Sequence, residues 1–132
     1  MSQLLQEIEA LRKPMKELND FIFDHPELGN EEFKAHELLT NLLEKEGFIV
    51  DREVSGLNTA FRAVYHVNGG GPKIGLLCEY DALEGLGHAC GHNLQGPSIC
   101  TAAIALKRTL QVPCTLVVYG TPAEETASGK LV

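Results

Sequence analysis

The amino-terminal third of the chain has the apolar spacing of helices. From position 4 to position 22, apolar residues recur every three or four positions, which marks one face of an α-helix. Pro14 lies within this segment and predicts a kink or a restart of the helix. The same spacing returns over residues 33–43. Asn30 is the predicted N-cap of this second helix, and Gly47 its carboxyl-terminal stop.

Beyond residue 47 the pattern changes to that of strands. Runs rich in β-branched and aromatic residues, with alternation in the second of them, predict strands over residues 48–54, 59–67 and 73–80. The glycine-rich turn NGGGP joins the second and third runs and predicts an antiparallel hairpin between them. The third run, KIGLLCEY, is apolar through its middle, which is typical of a central strand covered on both faces.

The last third alternates between the two kinds of element. Residues 97–110 are rich in alanine and predict a helix, with Pro97 suited to its first turn. Residues 114–120, CTLVVYG, predict another central strand. Helices and strands in this order favour a layered α/β domain with a mixed sheet. At 132 residues, the chain is long enough for one such domain.

Composition and charge narrow the classes of function. The apolar fraction of 44% and the charged fraction of 22% are those of a globular protein. A net charge of −7 argues against a nucleic-acid surface, because little of it could neutralise phosphates. No apolar stretch approaches the roughly 20 residues that span a bilayer, and the amino terminus lacks the pattern of a secretory signal. We therefore expect no membrane partner.

The four cysteines indicate a reducing compartment. They show no CxxC pairing, and three of them sit in apolar surroundings that predict buried thiols: Cys78, Cys100 and Cys114. A domain with this much core does not need disulfides, so the cytoplasm is the expected location.

Two polar clusters follow directly on predicted strands. Asp81 and the loop GHACGHN, residues 87–93, come after the 73–80 strand, and PAEE, residues 122–125, comes after the 114–120 strand. Sites in open α/β sheets form at the carboxyl ends of strands. If these two strands are parallel neighbours, the cysteine and histidine of the first cluster meet the glutamates of the second.

The residue types in these clusters are those of a metal site. Cys90 and His92 lie two positions apart, so an extended loop points both side chains the same way. Thiolate, imidazole and carboxylate are ligands that zinc accepts. Of the adjacent Glu124 and Glu125, one could bind the ion while the other takes a proton from bound water. The plainer interpretations also remain open: a polar loop with solvated histidines, and acidic residues that merely favour a helix N-terminus.

Three ordered motifs resemble a known family. HPELGNEEFKAHELLTNLLEKEGF, CEYDALEGLGHACGHN and GTPAEE, in this order, are similar to the metallopeptidase and amidohydrolase family that contains aminoacylases, carboxypeptidase G and aminobenzoyl-glutamate hydrolase. The likeness is greatest to the branch with the indole-acetyl-amino-acid hydrolases and aminobenzoyl-glutamate hydrolase, in which a cysteine replaces a ligand of other members. It implies a three-layer α/β/α catalytic domain of the zinc-peptidase type, with a mixed, mostly parallel sheet.

The resemblance assigns roles to single residues. It implies that Cys90, His92 and Glu125 are metal ligands, that Glu124 is the general base, and that Asp81 supports the site. Asn93 stands where many relatives have aspartate, which fits the cysteine-containing branch. His88 is not expected to be a ligand.

The implied reaction is hydrolysis of the amide bond of an N-acyl amino acid or a dipeptide. It would use two divalent ions, which could be zinc, manganese or cobalt. The implied partners are these small substrates and, for the full-length parent, a second copy in a homodimer.

The length of the chain sets a further expectation. Family members add a lid and dimerisation domain and more ligands than this sequence provides. We therefore expect residues 1–132 to be the amino-terminal portion of the catalytic domain, weakly active or inactive alone. Two alternatives remain: a non-catalytic metal-binding or oligomerisation module, and a hydrolase that uses Cys90 as nucleophile.

Overall fold

The apolar stripe at the amino terminus forms two helices rather than one. The computed structural model describes all 132 residues. The helices are α1 (Gln3–Ala10), α2 (Arg12–Asp24), α3 (Phe33–Lys45) and α4 (His92–Thr109), and a short 3₁₀ turn spans Gly129–Leu131. The break falls at Leu11, so Pro14 lies in the first turn of α2, where a missing N–H is tolerated. The predicted restart is confirmed, three residues earlier than the proline.

The ends of α3 are set by two different devices. Gly47 adopts a φ of +93° directly after the helix and ends it, as predicted. At the other end the predicted N-cap is wrong. Asn30 has a φ of +67° and lies outside the helix, and the Glu27 carboxylate accepts hydrogen bonds from the Lys34 and Ala35 amides instead. A carboxylate seven residues upstream is not visible to a local capping rule.

The four strands form one mixed sheet. They are β1 (Ile49–Asp51), β2 (Phe61–Val67), β3 (Lys73–Cys78) and β4 (Cys114–Gly120), in the spatial order β1-β2-β4-β3. The pairs β1/β2 and β2/β4 are antiparallel, and β3/β4 is parallel. The α/β class and the mixed sheet are confirmed, although only one of the three strand pairs is parallel.

Two predictions about β3 are wrong. The strand does not form a hairpin with β2, because β4 lies between them. It is also an edge strand, and most of its side chains are exposed rather than covered on both faces. An apolar run alone does not distinguish a central strand from an edge strand whose outer face lacks a partner.

The helices cover one face of the sheet. The core is formed by side chains of α3 and α4 packed against the inward residues of β2 and β4, among them Leu39, Leu43, Ile104, Ala63, Leu116 and Val118. The alternate residues Val64 and Val117 point to the opposite face and are not part of this cluster. No helix of this chain is long and apolar enough to cross a membrane.

Helix α4 begins five residues before the predicted start. Gly91 precedes it with a φ of +84°, and His92 is its first residue, so Pro97 falls in the second turn rather than the first. Gly96 presses this turn against the end of β3: a Cβ at Gly96 would lie 2.9 Å from the Glu79 carbonyl oxygen. This close approach brings the first residue of the helix beside the segment that leaves β3.

Candidate metal centre

The two polar clusters lie at the same edge of the sheet. β3 and β4 are parallel neighbours, and their last residues, Cys78 and Gly120, pair in register. The predicted arrangement of these strands is therefore confirmed. The Thr121 amide donates to the Cys78 carbonyl at 2.9 Å and keeps the two departing segments together. Residues 79–81 and 121–125 consequently emerge side by side.

Asp81 orients His92. The Asp81 side chain is fully buried, and its Oδ1 lies 2.9 Å from His92 Nδ1. Its Oδ2 accepts a hydrogen bond from the Glu125 amide at 3.0 Å. A carboxylate at Nδ1 places the ring proton there and leaves the lone pair of Nε2 facing away from Asp81. The same carboxylate therefore fixes both the imidazole and the turn that carries the glutamates.

The Nε2 atom of His92 faces three carboxylates. It lies 3.4 Å from Glu79 Oε2, 3.8 Å from Glu124 Oε2 and 3.9 Å from Glu125 Oε1. One possible ligand atom each from Glu79, His92 and Glu124 lies within 4.8 Å of the others. These separations are compatible with donor atoms arranged around one small cation.

The charges of this cluster call for a cation. Three carboxylates and an imidazole lone pair converge, and the Glu79 and Glu125 side chains are only 15% and 16% exposed. Like charges that cannot be fully hydrated repel one another. The Lys130 ammonium partly offsets this, at 3.0 Å from Glu79 Oε1 and 3.3 Å from Glu124 Oε1. The donor set therefore fits a divalent ion with nitrogen and oxygen ligands.

Cys90 lies at the margin of the cluster. Its side chain is exposed, and contact with the Glu125 carboxylate is the main cause that raises the pKa of the thiol. A raised pKa lowers the thiolate fraction and argues against Cys90 as a nucleophile in the metal-free chain. The structure brings Cys90 to Glu125 but not into the group of Glu79, His92 and Glu124. Ligation by Cys90 stays a prediction.

Sequence reasoning missed two members of the cluster. Glu79 ends the apolar run of β3, and its place at the carboxyl end of a strand was the available signal. Lys130 reaches the site from the 3₁₀ turn, which no pattern predicted.

Two other polar residues near the site have different surroundings. Asn93 donates to Asn19 Oδ1 at 2.7 Å and so ties α4 to α2. His88 is only 8% exposed, and neither of its ring nitrogens has a hydrogen-bond partner. Burial is the main cause that lowers its pKa. The structure thus gives no reason to count either residue as a ligand.

Comparison with known proteins gives a consistent set of relatives. No family model matches the chain. The chain is 42% identical to a p-aminobenzoyl-glutamate hydrolase of Escherichia coli over 143 residues, which covers 93% of this chain and 29% of that protein. It is 39% identical to the Xaa-Arg dipeptidase of Mus musculus over 139 residues, which covers 96% of this chain and 32% of that protein.

A solved structure shows the same fold. The YXEP protein of Bacillus subtilis, described as a dinuclear metal binding peptidase from the M20 family, superposes with a TM-score of 0.78 at 26% identity. The match covers 89% of this chain and 36% of that chain. The chain thus spans about a third of the length of the relatives that it matches. The resemblance predicted from the three motifs is confirmed.

Proposed function

We propose, from the premise that this chain belongs to the M20 family of metallopeptidases and amidohydrolases, that it forms the metal-binding portion of an amide hydrolase. We assign residues 1–132 to the amino-terminal portion of the catalytic domain. The proposed substrates are N-acyl amino acids or dipeptides. The names of the relatives, a hydrolase of p-aminobenzoyl-glutamate and a dipeptidase, support this choice because both substrate types contain such an amide. A cytoplasmic location and a homodimeric parent complete the proposal.

One observation carries the proposal: Nε2 of His92 meets three carboxylates at the common end of two parallel strands. Acidic groups on a surface are common without a metal, but they are not usually gathered around an imidazole. Here a buried aspartate holds the imidazole with its lone pair toward them.

The residues divide into ligands and a base. Cys90, His92 and Glu125 would hold the metal, with Glu79 as a further oxygen donor, and we expect up to two zinc, manganese or cobalt ions. A bound divalent ion polarises a carbonyl group and lowers the pKa of water toward neutrality. Glu124 keeps one carboxylate oxygen 3.8 Å from His92 Nε2, and its side chain is 30% exposed, so both substrate and water can reach it.

Glu124 would move the proton in the reaction. Its carboxylate accepts a proton from the attacking water and passes it to the nitrogen of the leaving amine, which departs as a neutral amine. Asp81 keeps the proton of His92 on Nδ1 throughout, because Oδ1 accepts from that atom. Lys130 shields the negative charge of Glu79 and Glu124 while the site is free of metal.

Metal titration of the purified 132-residue chain tests the ligand assignment. After treatment with a chelator, zinc, manganese and cobalt are titrated by calorimetry, and we expect saturable binding that is lost in His92→Ala. His66→Ala is the matched control, since His66 contacts Thr115 on β4, away from the polar clusters. Binding that is equal in both variants would contradict the site.

A rate measurement tests the reaction. Hydrolysis of p-aminobenzoyl-glutamate and of a set of dipeptides is followed with the metal-loaded chain and with its Glu124→Gln variant. Turnover that requires Glu124 supports the hydrolase. Binding of metal with no turnover would favour a non-catalytic metal-binding module instead.

A further inference from the structure

The HPELGNEE segment packs directly on the turn that carries the two glutamates. The Ala82 amide donates to the Glu27 carbonyl at 2.8 Å, and Leu28 forms a bridge with Ala82. A Cβ at Gly29 would lie 2.8 Å from both Cα and Cβ of Ala123. Residues 27–29 therefore touch both segments that leave the sheet at the candidate metal centre.

Glu32 makes the connection that reaches closest to the catalytic turn. Its carboxylate is fully buried, and Oε1 accepts a hydrogen bond from the Ala123 amide at 2.8 Å. Oε2 accepts from the Thr59 hydroxyl, also at 2.8 Å. Burial raises the pKa of Glu32, and these hydrogen bonds oppose that shift. A buried carboxylate is unfavourable unless its hydrogen bonds compensate, so this one is placed where both oxygens have partners.

Ala123 is the residue whose backbone sets the direction of the next side chain. It is fully buried and has a φ of +56°, a left-handed conformation that alanine rarely adopts. A residue stays in such a conformation only when its surroundings hold it there. The hydrogen bond to Glu32 and the close packing of Gly29 are the contacts that do so. Glu124 follows immediately in the chain.

We propose that Glu32 is a positioning residue for Glu124. By accepting the Ala123 amide, it holds the turn in the left-handed conformation that directs the Glu124 carboxylate toward His92 Nε2. The proposal rests on the proposed function only in that the affected property is metal binding and, through it, catalysis. Nothing in it requires Glu32 to touch metal or substrate.

Two substitutions of Glu32 in the full chain separate positioning from mere stability. Glu32→Gln keeps an oxygen for the Ala123 amide, and its NH2 group donates to the Thr59 oxygen, so we expect zinc affinity within about threefold of the unmodified chain. Glu32→Ala removes the acceptor, and we expect zinc affinity to fall on the order of tenfold, as when a group that orients a ligand is lost. Amide hydrogen exchange at Ala123, measured by NMR, should accelerate in Glu32→Ala but not in Glu32→Gln.

A core variant and a backbone variant complete the experiment. Leu116→Ala, a cavity in the middle of β4, lowers stability without touching the turn, and zinc affinity should not change. If Glu32→Ala does not fold, Ala123→Gly carries the test, because it frees the same turn while removing the unfavourable conformation of alanine. We then expect weaker zinc binding at equal or higher stability.

Two results are distinguishable failures. If the unmodified chain binds zinc and a folded Glu32→Ala or Ala123→Gly variant binds it equally well, the positioning role is overturned. If the unmodified chain binds no metal, the proposed function fails, and the amide exchange of Ala123 alone decides whether Glu32 holds the turn.

Discussion

The pairing of Asp81 with His92 allows a prediction in which one changed atom moves a proton. In Asp81→Asn the side chain keeps its shape, but one of its two acceptor oxygens becomes an NH2 donor. The native carboxylate accepts from both His92 Nδ1 and the Glu125 amide. The amide can satisfy only one of these donors as before.

The orientation of the asparagine follows from the cost of each choice. If Nδ2 faced the Glu125 N–H, two donors would oppose each other in a fully buried place, which costs about 1–3 kcal/mol. With Oδ1 toward Glu125, the NH2 group faces Nδ1, and the imidazole can shift its proton to Nε2 and accept instead. The second arrangement is favoured because every group is then paired. It leaves Nε2 protonated and without a lone pair for a metal.

The expected effect is therefore larger on metal binding than on folding. Zinc affinity should fall about 10- to 100-fold, the range found when the group that orients a ligating histidine is lost. Stability of the metal-free chain should change by roughly 1 kcal/mol or less, because the lost charge-assisted hydrogen bond is offset by reduced repulsion among the clustered carboxylates. Competition with a chromogenic chelator gives the affinity, and ¹⁵N shifts of the His92 ring give the tautomer.

Asp51→Asn is the matched control for this experiment. Asp51 is an exposed carboxylate on β1 paired with Arg62 at 2.7 Å, so the same chemical change should leave zinc affinity unaltered. The reasoning is refuted if Asp81→Asn binds zinc as tightly as the unmodified chain while His92 keeps its proton on Nδ1.

Three further predictions concern other contacts. Gly29→Ala should lower the free energy of unfolding by about 1–3 kcal/mol in denaturant titration, because its Cβ would meet the Ala123 backbone at 2.8 Å. Lys130→Gln should raise zinc affinity by up to about fivefold in calorimetry, since removing the ammonium that contacts Glu124 is worth at most ~1 kcal/mol for a partly exposed pair. For His36, burial lowers the pKa, so the folded state binds fewer protons than the unfolded state. Thermal stability should therefore decrease as pH falls below about 6.5, and less steeply in His36→Gln.

Each of these has a comparison that isolates the cause. Gly75→Ala meets only a Tyr119 ring at 3.3 Å, so an equal loss of stability there would deny a special role to Gly29. Lys73→Gln removes a charge at the far end of β3 and should not alter zinc affinity. His25→Gln changes an exposed histidine, and a pH profile that flattens as much as in His36→Gln would contradict the assignment to His36.

The strands of the sheet could be predicted from local pattern, but their order could not. CTLVVYG matches β4 residue for residue, since its apolar run is bounded by clear breaks. The hairpin between β2 and β3 was wrong because a glycine-rich turn shows that the chain reverses, not which strand becomes its neighbour. β4, more than thirty residues later, takes the place beside both. Its two pairings are long-range contacts that no local window contains.

The site was predictable where chemistry follows a strand directly. Asp81 and the glutamate pair were found because each comes immediately after an apolar run, and the structure brings them together with His92. Glu32 was considered only as a favourable charge at a helix N-terminus. Its contact with Ala123 spans 91 positions of the chain, which explains why the sequence alone gave no sign of it.

Folding and metal binding are coupled in this arrangement because the donors come from separate parts of the chain. Glu79, His92 and Glu124 converge only when β3 and β4 pair and α4 packs on the end of β3. In the unfolded chain these groups are far apart, so an ion that binds the folded state stabilises it by about 2.7 kcal/mol at a hundredfold excess over its Kd. Without the ion, the same convergence is a repulsion that Lys130 offsets only in part. The cluster is therefore unfavourable to the fold until a cation occupies it, which is the physical reason to regard it as a binding site rather than as a structural ion pair.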